Sequence, residues 1–433
     1  MARIKIAYLG GGSTRAPGTM ASFIWRAAQF AGSEIVLIDL DAERLELVHA
    51  LAVKMAAVEG ADLTITATTD RRAGVTDCDA VLSSFRPGCF EARALDERIP
   101  LKHGVIGQET QGPGGFFMAL RSIHVVKDLI NDLNQVAPKA VIFNYTNPVN
   151  IVAQAVTSHT DTPLVSLCEG PIIFPEGLLR ACGLDPARAD VVMAGVNHNC
   201  WSWRHTYDGQ DLMPLLDQAW AEHRDDPAMD PVDRRLLHLA VTMRSVPAGY
   251  YQFYYFKDEV LREQQAAPTT RAEDILAWSP GYWAHYREQL AAAHPRLDPA
   301  RSRGGIHELE LAIDAMSAYY NDTGQRLPVN LPNRDGALPG FDNDTVVEVW
   351  CRVDRQGFHI EPQEPLPHAV RGITQQLAEY QRLAAEAAWS GGPADAVRAL
   401  AANPLVPSVP VAEALYAEMA AAHARYLPDR LVP

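Results

Sequence analysis

Two strand ends in this sequence carry side chains that could work together. The stretch PLVSLCEGP (163–171) puts Cys168 and Glu169 where a short apolar run gives way to a turn. Further on, GVNHNCW puts His198 after another β-like run. A thiolate and an imidazole with no further protein ligand leave coordination positions open for a substrate, which is how a catalytic metal is held. If the two strands are neighbours in one sheet, both side chains reach the same crevice. Softness of the donors alone would favour zinc, so ligand type leaves the metal's identity open. Read by itself, SLC is a small buried thiol; His198 is what gives it a second meaning.

The run PAGYYQFYYF (247–256) crowds Tyr250, Tyr251, Tyr254 and Tyr255 together with two phenylalanines. Most of these rings belong in a core, but a tyrosine beside a metal-bound substrate can lose its proton and act as a base. The sequence does not choose among the four. FNYTNPVN (143–150) ends an apolar run with Asn144, Thr146 and Asn147. Their amides can donate and accept toward sugar hydroxyls or a carboxamide, or cap a helix begun by Pro148. Residues 86–115 gather Arg86, Arg93, Arg98, Lys102 and His103 in an acidic chain and end in GQETQGPGG. They read as a long loop facing a ligand crevice, with a helix starting near Phe116.

A nucleotide site is also written in the chain. In AYLGGGSTRAPG, Gly10, Gly11, Gly12 and Ser13 follow the first strand and open the first helix, where backbone N–H groups can approach a pyrophosphate. The third glycine of G-x-G-x-x-G is absent, since that position is Arg15. Asp39 ends the second strand in IVLIDLD. A carboxylate there accepts from both hydroxyls of an adenosine ribose and repels a 2′-phosphate, so the pattern points to NAD rather than NADP.

These residues need elements to position them. IKIAYL, EIVLID, DLTITAT, DAVLSSF, KAVIFNY and PLVSLC read as strands buried on both faces, separated by helical stretches such as 41–58 and 116–134. That alternation predicts an α/β fold with a Rossmann-like, doubly wound parallel sheet over 1–165, the NAD-binding domain. Residues 166–433 read as a mixed α/β domain for substrate, metal and oligomerisation. It has strands at ADVVMAGVNHNCWSWRHTY and TVVEVWCRVD, and helices around 231–245, 271–293, 305–320 and 366–425.

Composition sets the outer bounds. With 38 Lys+Arg against 53 Asp+Glu the net charge is −15, which makes nucleic acid and anionic membrane surfaces poor partners. No apolar run is long enough to span a bilayer, and MARIKIAYLGGGS is a strand and turn rather than a secretory signal. Six scattered cysteines suit a reducing compartment, so a cytoplasmic enzyme acting on a small molecule is expected.

Taken in order, YLGGGS, IDLDAERL, RALDERIPLKHGVIGQETQGPGG, NYTNP, LCEGP, GVNHN and RGG resemble glycoside hydrolase family 4 over nearly the whole chain, closest to its 6-phospho-β-glucosidase branch. The resemblance implies a lactate/malate-dehydrogenase type of architecture, bound NAD, a divalent metal (usually Mn²⁺), and a homodimer or homotetramer. It implies a redox elimination and addition: transient oxidation of sugar C3 by NAD, loss of the C2 proton to give a metal-stabilised enediolate, departure of the glycosidic oxygen, water addition and re-reduction. This family stands apart from the two-carboxylate glycosidases. By the same resemblance Cys168 and His198 are the metal ligands, Tyr250 the base, Glu169 the counterpart of a general acid, and Arg93, Asn147 and Arg303 substrate contacts. Departures are RPGC for RPGG, Glu169 where the nearest branch carries Asn, and the atypical RGGIHELE and VEVWC. They imply kept machinery with a changed aglycone, anomer or 6-substituent. The alternatives are a lactate/malate-like dehydrogenase with net hydride transfer, for which no G-E-H-G motif is present, and an NAD-binding sensor without catalysis.

Overall fold

The computed structural model describes residues 1–303 and 310–432. Six strands form a parallel half-sheet: β1 (Lys5–Leu9), β2 (Ser33–Ile38), β3 (Leu63–Thr68), β4 (Ala80–Ser83), β5 (Val141–Asn144) and β6 (Leu164–Ser166). Their order is β3-β2-β1-β4-β5-β6, so the chain reverses direction across the sheet between β1 and β4. In such a sheet the crevice for a ligand opens at the carboxyl ends on either side of that reversal.

The remaining strands continue the same sheet antiparallel. They are β7 (Ala189–Val196), β8 (Asn199–Tyr207), β9 (Gln210–Asp211), β10 (Val246–Pro247), β11 (Gln325–Pro332), β12 (Val346–Asp354) and β13 (Gly357–Ile360). β11 joins the parallel half through Asn330 opposite Ser166, and β12 joins β7 through Glu348 opposite Gly195. The order from that join is β6-β11-β12-β7-β8-β10.

The expected strands are present, and all but one are apolar on both faces; β3, at the sheet edge, buries only Ile65 and exposes Thr64. Ile6 and Tyr8, Ile35 and Leu37, Ala80 and Leu82 enter one core, while Ala7 and Leu9, Val36 and Ile38, and Val81 enter the other. A strand covered on both sides has no need of alternation, which is why these runs are continuous.

Two expectations are corrected. The first is the long loop at 86–115: Cys89–Lys102 is a helix and the next helix begins at Gly112, not near Phe116. EARALDERI is a run of good helix formers that carries the helix to Lys102 although Pro100, two residues before its end, lacks the N–H of one i→i−4 bond. The second is the assumption that the strands before Cys168 and His198 are neighbours. β11 and β12 lie between them, inserted from residues far along the chain. The helix expected around 305–320 is described from Glu310 to Asn321, and its first residues lie outside the described set.

Candidate active site

The glycine turn is tight against two strands. Gly10 and Gly11 N–H donate to Ile38 O at 2.9 and 3.1 Å, and Ser13 N–H closes the turn onto Gly10 O at 3.0 Å. Gly10 has φ +94°, and a Cβ there would stand 2.0 Å from Ser84 O, so no other residue fits. Gly12 N–H donates to Asp39 Oδ2 at 2.9 Å, and Asp41 N–H to Oδ1 at 3.2 Å. A carboxylate has about four lone-pair positions, so Asp39 retains acceptors for ribose hydroxyls. The helix Ala16–Trp25 starts directly behind, with its N-terminus toward the turn. This side-chain-free cradle at a helix N-terminus fits a dinucleotide.

His198 occupies the two-residue turn between β7 and β8 in the left-handed region, φ +65°, a conformation that a non-glycine residue holds only under constraint. Its Nδ1 lies 3.0 Å from Thr110 Oγ1, and the Tyr250 ring stacks on the imidazole at 4.0 Å with 4° between planes. Burial pulls its pKa down to about 4, so the ring is neutral, the form that binds a metal. Cys168 follows β6; Gly170 N–H donates to its Sγ at 3.3 Å, and Asn197, beside His198, hydrogen-bonds the same sulfur. Burial, together with the Glu348 carboxylate, pushes the thiol's pKa up. A buried thiol that ionises only beside a cation and a neutral imidazole are a fitting donor set for a divalent metal. Among the described residues no three His, Cys, Asp or Glu side chains converge on one point, so a metal here would take its remaining ligands from substrate or water.

Of the four tyrosines, only Tyr250 faces this pair. It hydrogen-bonds Thr110, and burial and the charges of Glu109 and Cys168 push its pKa up. Tyr251 is fully buried, its hydroxyl donating to Asn199 O at 2.8 Å and meeting Thr374 Oγ1 at 2.9 Å. Tyr254 donates to Gln111 Oε1 at 2.6 Å, and Tyr255 packs edge-on to Trp201.

The basic residues divide in two. Arg98 is bound to Glu273, and Lys102 and His103 to Glu418, on the outer face of the helix Cys89–Lys102. Arg86 and Arg93 turn inward onto Glu109, Arg93 at 3.0 Å. Asp96 on the same helix anchors it through Arg121 at 2.9 and 2.5 Å. Burial alone would raise the Glu109 pKa, but Arg86, Arg93, Arg15 and Arg303 outweigh it and hold it at about 2. Arg303 lies 4.2 Å over the Phe90 ring, and burial with Arg15, Arg86 and Arg93 around it brings its pKa down to about 9. Arg93 is also paired with the buried Glu97 at 2.7 Å, so guanidiniums and carboxylates alternate at this crevice. Gly304 and Gly305 of RGG lie outside the described residues.

Asn144 and Thr146 are occupied in tying strand ends together, through Ser166 Oγ at 2.8 Å and Ser83 Oγ at 2.8 Å. Asn147 differs: its Oδ1 is buried and has no hydrogen-bond partner. It does not cap the helix Val149–His159, whose N-cap is Pro148. Glu169 likewise makes no capping bond to the helix Gly170–Ala181; Tyr145 Oη donates to its Oε1 at 3.2 Å. Sequence reasoning missed Thr110, Glu109, Tyr145 and Asn197 as members of the site. The glycine density of GQETQGPGG was the one available signal, since a Cβ at Gly115 would stand 2.3 Å from Thr110 C.

A glycine turn at a helix N-terminus, a buried thiol and imidazole with a stacked tyrosine, and a cluster of arginines are the features of a cofactor-using enzyme. Two family models locate it further: family 4 glycosyl hydrolase matches residues 5–184, and the family 4 glycosyl hydrolase C-terminal domain matches 193–406. The chain belongs to glycosyl hydrolase family 4. It is 35% identical to a probable 6-phospho-beta-glucosidase of Bacillus subtilis, with 98% of each chain covered. A 6-phospho-alpha-glucosidase from gut microorganisms, solved in complex with NAD and Mn²⁺, is 25% identical with TM-score 0.86 and 99% of each chain covered. The Cryptosporidium parvum lactate dehydrogenase, 12% identical, covers 89% of this chain and 99% of its own with TM-score 0.55, a likeness of fold alone.

Proposed function

We propose that this glycosidase hydrolyses a 6-phosphoglucoside by transient oxidation of the sugar, with NAD and Mn²⁺ as its cofactors. The observation that carries the substrate class is the gathering of Arg86, Arg93 and Arg303 around Glu109 beside the Cys168–His198–Tyr250 group. Guanidiniums gathered at a crevice suit a sugar bearing a 6-phosphate, and relatives named as 6-phosphoglucosidases support that reading.

Gly10, Gly11, Gly12, Ser13 and Asp39 would hold NAD, and Cys168 with His198 the metal. NAD would supply a hydride acceptor for sugar C3, and the metal a Lewis acid for the resulting carbonyl that makes the C2 proton acidic. Tyr250 removes that proton; its raised pKa means it needs the nearby cation to become a base. Glu169, held by Tyr145, donates a proton to the leaving glycosidic oxygen. Asn147 presents its unpartnered Oδ1 to a sugar hydroxyl, and Arg93 and Arg303 bind the phosphate end. Cofactor binding lies in 1–165, and substrate, metal and self-association in 166–433. The enzyme acts as a homodimer or homotetramer in the cytoplasm; no helix among the described residues is long and apolar enough to cross a membrane.

A screen of α- and β-aryl glucosides, each with and without a 6-phosphate, tests this reading in the presence of NAD and Mn²⁺. Hydrolysis confined to 6-phosphorylated substrates is expected. Equal turnover of the unphosphorylated glycosides would refute the role given to the arginines.

A further inference from the structure

The two arginines given to the phosphate end of the sugar hang on one helix. Arg93 Nε donates to Glu97 Oε1 at 2.7 Å, and the other oxygen of Glu97 accepts from Ala272 N–H at 2.8 Å. Ala272 lies in the first turn of the helix Arg271–Ala291, whose start is fixed by a capping box of Thr270 and Glu273. Toward the other end of that helix, Tyr286 is buried and its hydroxyl donates to Thr14 O at 2.8 Å. Arg303 N–H donates to the same hydroxyl oxygen at 3.2 Å. A carbonyl only accepts and a backbone N–H only donates, so one hydroxyl serves both in a single arrangement. Thr14 lies between the glycine turn and the helix Ala16–Trp25, so Tyr286 ties Arg303 to the nucleotide cradle. The chain leading to Arg303 is held by the neighbouring side chain, since Asp298 N–H donates to His285 Nε2 at 3.0 Å.

We infer that the helix Arg271–Ala291 positions both arginines, Arg93 through Glu97 and Arg303 through Tyr286, and that Tyr286 registers Arg303 on the nucleotide turn. Tyr286 and Glu97 are positioning residues, and the inference rests on Arg93 and Arg303 being contacts of a 6-phosphate. A guanidinium grips an anion with paired N–H bonds only when its planar fork is correctly aimed, and a long side chain is aimed from its base. For Arg303 that base is the N–H held by Tyr286, while the guanidinium rests 4.2 Å over the Phe90 ring. Phe90 belongs to the helix Cys89–Lys102, which also carries Arg93 and Glu97. Both arginines therefore take their places from the same two helices.

Tyr286→Phe tests this, since it keeps the ring on Trp283 and removes only the hydroxyl. Calorimetric titration of the full-length protein at saturating NAD, with glucose 6-phosphate and with glucose, reads the effect. Tyr286→Phe should weaken glucose 6-phosphate binding about 10–100-fold, the range for a lost hydrogen bond to a charged group, and leave glucose binding unchanged. Arg303→Met should do the same, and the double variant should lose no more than Arg303→Met alone, because both changes remove one contact. A merely structural role would weaken both sugars alike and add to Arg303→Met, and either result would overturn the inference. Glu97→Gln leaves one acceptor oxygen where Arg93 and Ala272 need two. It should show the same selective loss through Arg93, and it carries the test if Tyr286→Phe does not fold. Unchanged glucose 6-phosphate affinity in either variant would overturn the inference. A crystal structure of Tyr286→Phe should show Arg303 displaced from Phe90; an unmoved guanidinium would again overturn it. Displaced Arg303, with a wild type that binds both sugars equally, would uphold the positioning and refute the 6-phosphate reading instead.

Discussion

Tyr250→Phe separates chemistry from structure at this site. The substitution keeps the ring, so the 4.0 Å stack on His198 and the contacts with Phe174 and Phe253 remain. What it removes is one hydroxyl and its hydrogen bond to Thr110, worth about 1 kcal/mol of stability. In the proposed role of base for the C2 proton the same hydroxyl would contribute about 10²–10⁴ in rate, or roughly 3–5 kcal/mol at the transition state. The expected outcome is therefore lopsided: a melting temperature within a few degrees of wild type, NAD and Mn²⁺ still bound, and kcat down by at least about a hundredfold. Stopped assays of 6-phosphoglucoside hydrolysis, beside calorimetric melting of the same preparations, read both quantities. A variant with kcat within about tenfold of wild type would remove Tyr250 from the mechanism. An equally large loss in Tyr254→Phe, whose hydroxyl is tied to Gln111, would show that the effect is structural.

Other consequences are equally direct. Cys168→Ser and His198→Ala should each abolish turnover while NAD stays bound in equilibrium dialysis; chelation should do the same to the wild type, and Mn²⁺ with a thiol reductant should reverse it. Activity untouched by exhaustive chelation would contradict the metal's role. Gly10→Ala places a Cβ 2.0 Å from Ser84 O at φ +94°, so it should cost about 2 kcal/mol or more in urea unfolding and release NAD. Glu109 has a folded-state pKa of about 2 against an ordinary 4.5, so its contribution is full above pH 4.5 and is lost as pH falls toward 2. That amounts to up to about 3 kcal/mol. Glu109→Gln should remove this acid-limb dependence in denaturation measured between those limits, and an unchanged acid limb would refute the assignment.

Much of this was readable from local sequence. The inner parallel strands announced themselves because burial on both faces demands unbroken apolar runs, whereas the edge strand β3 alternates threonine with apolar residues. The glycine turn did so because Gly10 has no alternative where Ser84 O crowds it. Cys168 and His198 were legible as strand-end residues, but not the way they meet. β11 and β12, residues 325–354, enter between their strands, and such pairing leaves no local signature. The helix Cys89–Lys102 was hidden by Gly88 and Pro100, which read as loop punctuation although one stands at its N-cap and the other near its end. Thr110 and Tyr145 are ordinary polar residues, and their meaning comes from His198 and Glu169, which lie 88 and 24 positions away.

The central claim is that the glycosidic bond breaks only after the C2 proton has been lost. Hydrolysis of a 6-phosphoglucoside in D₂O tests it most directly. The account predicts deuterium at C2 of the released sugar, with a rate lowered when C2 is deuterated beforehand. Complete turnover with no deuterium at C2 and no C2 isotope effect would contradict it.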